Sequence, residues 1–199
     1  MTMPYDAESE TSDEALLIRY ADGDRAAARA LTVRLTPRVL SLAQRILGEM
    51  AEAEDVAQEA MLRLWKIAPD WRAGEAQVST WLYRVAMNLC TDRLRRRRST
   101  GLDEAFGDGV EPPDETPGAD DRLRQAERAN ALQVALEELP ERQRQAVVLR
   151  HLEGLSNPEI AAVMDIGVEA VESLTARGKR ALAARLSGRR AELGLSDDD

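Results

Sequence analysis

The chain has 199 residues with 36 acids against 27 bases, a formal net charge of −9, and a length that leaves room for one large or two small domains. Apolar residues make up 44% and aromatics only 4%, with Ala, Leu and Arg prominent, a composition that leans helical. No apolar run approaches the ~20 residues of a membrane span, and a lone Cys90 with a lone His151 excludes an internal disulfide and leaves too few soft ligands for a structural zinc site.

Residues 1–12 carry three acids and no base and lack the basic and apolar regions of a signal peptide, so they read as a disordered acidic tail. Residues 13–98 carry a net +3. Ser12 or Asp13 can cap a first helix bearing Leu16, Leu17 and Tyr20, and Asp22-Gly23 ends it. A second helix carries Leu31, Leu35, Val39, Leu42 and Ile46 and stops near Gly48, and Pro37 predicts a kink or a start near that point. A third spans about Glu52 to Ile67. Its apolar stripe is Val56, Ala57, Ala60, Met61 and Leu64, while Asp55, Gln58, Glu59, Leu62 and Lys66 fall on another face. That second face suits either a solvated surface or a basic or coiled-coil partner.

A fourth helix runs from about Ser79 to Arg98, with Trp81, Leu82, Val85, Leu89 and Cys90 at core spacing and Arg84, Asn88, Asp92 and Arg95 along another side. It ends in five arginines within six residues, Arg93 and Arg95 to Arg98. Cations there offset the helix dipole, but so many also make a compact phosphate-binding patch. Trp71 and Tyr83 lie just upstream, where aromatics beside basic residues can stack on unpaired bases.

Residues 99–121 carry eight acids and no base among Pro and Gly, the composition of a flexible acidic linker. A second helical block follows over 122–187, with helices expected at about 122–138, 141–152, 157–164 and 168–187, and residues 188–199 form a tail ending in three aspartates. The clearest motif lies here. Ser156 and Glu159 form a capping box around Pro158, Asp165-Ile166-Gly167 makes a tight turn with Gly167 as the candidate for a positive φ, and a longer basic helix with Arg177, Lys179 and Arg180 follows. This is the pattern of a helix-turn-helix, the alternative being an ordinary helical hairpin. Residues 1–12, 99–121 and 197–199 together hold −14, and residues 13–98 and 122–196 together hold +5, so the global acidity does not exclude a DNA partner.

In their order the two blocks resemble bacterial RNA polymerase sigma factors of the sigma-70 family, extracytoplasmic-function (ECF) class. Glu54-Asp55-Val56-Ala57-Gln58-Glu59, continuing to Leu62-Arg63-Leu64-Trp65-Lys66, is similar to the region two segment that binds the polymerase largest subunit. Ser79 through Asn88 is similar to the promoter-melting and minus-ten segment, and Leu139 to Arg144 with Gly154 through Leu182 is similar to region four. The fold implied is all-α: region two over 13–98 and region four with its helix-turn-helix over 122–187, joined by the flexible acidic linker.

The resemblance implies a partner for each surface. Asp55, Gln58, Glu59, Leu62 and Lys66 would contact core RNA polymerase. Trp71, Arg72, Tyr83, Arg84, Asn88, Arg95, Arg96, Arg97 and Arg98 would contact minus-ten promoter DNA, with the loop Pro69 to Gln77 holding a flipped base. Ser156, Glu172, Ser173, Ala176, Arg177, Lys179 and Arg180 would contact the minus-thirty-five element. Glu172, Leu174 and Ala176 depart from the family's commoner basic or polar residues, which leaves the recognition helix poor in base-edge donors. An anti-sigma factor is the expected regulator and the cytoplasm the expected location. No catalytic constellation, cofactor motif or small-molecule site is recognisable, so an enzyme is not expected. The alternative readings are a helix-turn-helix regulator or a sigma mimic that titrates an anti-sigma factor.

Overall fold

A computed structural model describes residues 11–74, 76–100 and 119–187. The expected tails over 1–10 and 188–199 and the linker interior over 101–118 lie outside the described residues. The described elements are helices: α1 (Asp13–Ala21), α2 (Arg25–Leu47), α3 (Met50–Ile67), α4 (Val78–Thr100), α5 (Ala119–Glu137), α6 (Glu141–Val147), α7 (Asn157–Met164) and α8 (Val168–Ser187). A 3-10 turn, Ala68–Asp70, follows α3, and a π turn, Val148–Leu152, continues α6.

Local chemistry sets the boundaries. Ser12 caps α1, its hydroxyl accepting from Ala15 N–H at 3.2 Å. The Asp24 carboxylate caps α2 through Ala26 N–H at 2.9 Å and Ala27 N–H at 3.3 Å, and Arg19 approaches it to 2.6 Å. The Arg19 hydrogen bond, followed by the backbone donors, holds the Asp24 pKa below its usual value. This cap starts α2 well before Pro37, which lies inside the helix, so the expected start near Pro37 is corrected to Arg25. Gly48 ends α2 at φ +79°, a left-handed conformation open to glycine at no steric cost. The linker edges shift too, since Ser99 and Thr100 belong to α4 and Ala119 to Asp121 belong to α5.

In the first unit α2 and α3 share the largest interface, with α1 and α4 against them. Leu31, Leu35, Val39, Leu42 and Ile46 of α2 are buried, as are Val56, Ala60 and Leu64 of α3 and Leu82, Ala86 and Cys90 of α4. Burial pushes the Cys90 thiol up to about 12, so it is a packing residue.

In the second unit α8 packs on α5, α6 and α7. Gly178 makes the α6–α8 approach possible: a Cβ there would lie 2.6 Å from Val147 Cγ2 and 3.0 Å from the Gln143 carbonyl. The turn between α7 and α8 differs from expectation. Asp165, at φ +52°, takes the left-handed position assigned to Gly167, and an aspartate tolerates it through its short polar side chain.

The two units pack together, and one contiguous set of buried apolar side chains runs from α1 to α8. The principal contact between them is α4 against α7.

Candidate polymerase and nucleic-acid interfaces

One side of α3 is buried in the core, and the other presents the expected polymerase face to solvent. Asp55, Gln58, Leu62 and Lys66 are exposed, Leu62 by 47%. Glu59 lies on the same face and is paired with Arg63 at 2.9 Å. Arg93 of α4 reaches to 3.7 Å of Asp55. An exposed leucine ringed by acids and a lysine can combine apolar contact with charge complementarity.

The residues expected on minus-ten DNA divide into three groups. Arg72, Asn88, Arg95 and Arg96 are exposed, Arg95 paired with Asp92 of its own helix at 2.8 Å. Trp71 is half-buried, edge-on to Trp81 with ring centroids 6.1 Å apart, and its indole Nε1–H donates to Glu14 at 3.4 Å. The remaining four reach residues outside their own helix. Tyr83 is only 5% exposed, and its hydroxyl donates to Glu153 of the second unit at 2.9 Å, so the structure places it beneath that unit instead of on an open face. Arg84 is exposed but lies 3.8 Å from Asp165. Arg97 turns inward to Glu49 at 2.9 Å, Glu52 at 2.7 Å and the Leu47 carbonyl at 3.0 Å, tying the end of α4 to the α2–α3 corner. Arg98 pairs with Glu141 of α6 at 2.9 Å. The arginine run therefore splits. Arg95 and Arg96 face outward, while Arg97 and Arg98 hold structure together.

Of the minus-thirty-five residues, Ser156, Glu172, Ser173, Ala176, Arg177, Lys179 and Arg180 are all exposed, while Val171 and Gly178 of α8 turn inward. Glu159 accepts from Ser156 N–H at 2.7 Å, which fixes the start of α7. That bond and one from the Ser156 hydroxyl lower the Glu159 pKa. Glu172 lies 3.4 Å from the Asn157 side-chain amide, and Arg177 donates to the Ser173 hydroxyl at 2.9 Å.

The packed units pair polar groups that sequence periodicity did not bring together. Besides Tyr83–Glu153, Gln145 donates to the Thr91 hydroxyl at 3.2 Å, and Gln133 reaches the Gln44 carbonyl at 3.4 Å. Arg144 is 8% exposed and its Nε finds no acceptor within the protein. Burial lowers its pKa, opposed by Glu137 and Glu141, and burial raises that of Glu153, opposed by the Tyr83 hydrogen bond and by Arg45 and Arg38. The Tyr83–Glu153, Thr91–Gln145 and Gln44–Gln133 partners lie more than fifty positions apart, so no local pattern could have revealed them.

Comparison with known proteins places both units in one family. Residues 31–100 match the Sigma-70 region 2 family and residues 129–182 match the Sigma-70 region 4 family. The chain is 36% identical to the ECF RNA polymerase sigma factor SigM of Mycobacterium tuberculosis, over 90% of this chain and 86% of that protein. It is 32% identical to the ECF RNA polymerase sigma-E factor of Escherichia coli, over 87% of this chain and 93% of that protein. Among solved structures, CnrH in complex with the cytosolic domain of CnrY superposes with a TM-score of 0.64 at 27% identity, covering 89% of this chain and 99% of that one. The chain therefore belongs to the extracytoplasmic-function class of the sigma-70 family of RNA polymerase sigma factors, a family of transcription regulators.

Proposed function

We propose that this chain directs core RNA polymerase to a particular set of promoters and helps melt them. Region two extends over 13–98 and docks on polymerase through Asp55, Gln58, Glu59, Leu62 and Lys66 of α3. The loop at Trp71 and Arg72, with Arg84, Asn88, Arg95 and Arg96 of α4, engages the minus-ten element. Region four extends over 122–187, and α8 enters the minus-thirty-five groove with Glu172, Ser173, Ala176 and Arg177 forward and Lys179 and Arg180 beside phosphates. The protein performs no bond-making chemistry and acts in the cytoplasm. The observation that carries this reading is the pairing of two sigma regions in order within one chain, each presenting an exposed face of suitable chemistry.

Promoter elements centred ten and thirty-five base pairs upstream stand on the order of 80 Å apart on duplex DNA at 3.4 Å per step. A chain whose α7 lies against α4 must separate its two units to reach both. Tyr83, Arg84 and Arg98 then become available to DNA. An anti-sigma factor that favours the closed arrangement would keep the protein silent, and a protein of similar fold has been solved in complex with the anti-sigma factor NepR.

Run-off transcription with purified core polymerase and a genomic promoter library tests the reading. The expected result is a discrete set of promoters active only when this chain is added. If none becomes active, the initiating role fails and titration of an anti-sigma factor takes its place.

A further inference from the structure

The loop joining α3 to α4 has two concave flanks. On the α1 side, Ser12, Asp13, Glu14, Gly74, Ala76, Gln77, Val78 and Ser79 enclose about 500 Å³. On the other, Ile67, Asp70, Trp71, Arg72, Ala76 and Trp81 enclose about 240 Å³. The first is within the size range of small-ligand sites. Where these walls stand depends on the loop, whose tip, Gly74, has no side chain and adopts φ +82°. That tip can be held only through its backbone.

Glu14 holds it. Its Oε1 accepts from Gly74 N–H at 2.8 Å and from Trp71 Nε1–H at 3.4 Å, bridging about sixty residues of sequence. The helix behind it is anchored: Asp13 pairs with Arg34 at 2.6 Å, Ser12 caps the first turn, and Leu16 and Leu17 are fully buried. One carboxylate oxygen thus fixes both the backbone of the tip and the orientation of the indole, relative to a helix that cannot easily move. The Gly74 bond has the length of a strong charge-assisted hydrogen bond, while the longer Trp71 contact is supported by Trp81, packed edge-on to the indole.

We propose that Glu14 is a positioning residue for minus-ten recognition, setting the loop so that an unpaired base is discriminated between its walls. This rests on the reading, given above, that the loop contacts the minus-ten element. Glu14 does not touch the base on this account. It acts through Trp71 and Gly74.

The test uses holoenzyme assembled from the full chain and core polymerase, with promoters randomised across the minus-ten element and open complexes captured and sequenced. Glu14→Ala is expected to reduce base preference at the position read by the loop about tenfold, as for loss of a charge-assisted hydrogen bond. Melting temperature and competition for core polymerase should stay at the unsubstituted level. Glu14→Gln keeps a carbonyl oxygen that can accept both bonds and should restore the preference, which a purely electrostatic effect on DNA would not do. Arg72→Ala and Gln77→Ala test the loop itself. If they alter the preference while Glu14→Ala leaves it intact, the positioning role is wrong and the loop reading stands. If all three leave it intact, the loop does not read DNA and both inferences fall. Loss of core binding or helix content in Glu14→Ala would make Glu14 a folding residue and overturn the proposal.

Discussion

The seam between α2 and α3 and the seam between α4 and the second unit differ in composition. The first draws on Leu35, Val39, Leu42, Ile46, Val56, Ala60 and Leu64, all buried and all apolar. The second brings in Tyr83 with Glu153, Thr91 with Gln145, Arg98 with Glu141, and an Arg144 whose Nε lacks a protein acceptor. Burying leucine is favourable by roughly 1.5–3 kcal/mol per side chain, whereas burying partly paired charge returns little and can be unfavourable. The second seam adds these polar pairs to the apolar set that continues from α1 to α8, so it should separate more readily than the first. The function proposed above asks for both behaviours, a firm platform for polymerase and a second unit able to separate from the first.

The largest effect should come from the apolar seam. Leu35→Ala leaves a cavity and should cost about 2–5 kcal/mol of global stability, measurable by urea unfolding. The polar seam should respond differently. Tyr83→Phe removes the donor to a largely buried carboxylate and should weaken closure by about 1–3 kcal/mol without changing helical content. Fluorophores on α3 and α8 would report a longer mean separation; an unchanged distance would show that apolar packing alone keeps the units together.

Within the arginine run the contrast narrows to neighbours. Arg97→Ala loses Glu49, Glu52 and the Leu47 carbonyl and should cost about 1–2 kcal/mol in stability. Arg96→Ala, exposed, should stay within about 0.5 kcal/mol yet weaken retention of promoter DNA by the holoenzyme and flatten its salt dependence. Equal stability losses for the two would erase the distinction between inward and outward arginines.

The smallest effect expected is that of pH. Burial raises the Glu153 pKa, so the closed state holds this proton more tightly than an opened or unfolded one. The penalty for burying the carboxylate is fully present above the raised pKa and disappears as pH falls through it towards the ordinary glutamate value. Closure measured with the same fluorophores should thus tighten on mild acidification, and Glu153→Gln should abolish that response.

Much of this was legible in the chain before any packing was considered. Hydrophobic periodicity and capping residues mark where helices begin and end, because both act over three or four residues. Ser12, Gly48, Ser156 and Glu159 stand where local rules put them, and the face of α3 carrying Leu62 followed from spacing alone. Local rules were less reliable at Pro37, where the Asp24 cap extended the helix upstream, and at Gly167, whose left-handed role fell to Asp165. Tertiary structure decided the rest. It turned Tyr83 under the second unit, folded Arg97 back onto α2 and α3, required Gly178 where α8 meets α6, and brought Glu14 to the loop at Gly74. Each of those outcomes joins residues at least thirty positions apart. A side chain's periodic position says which face of a helix it occupies, but only the folded chain determines what that face meets.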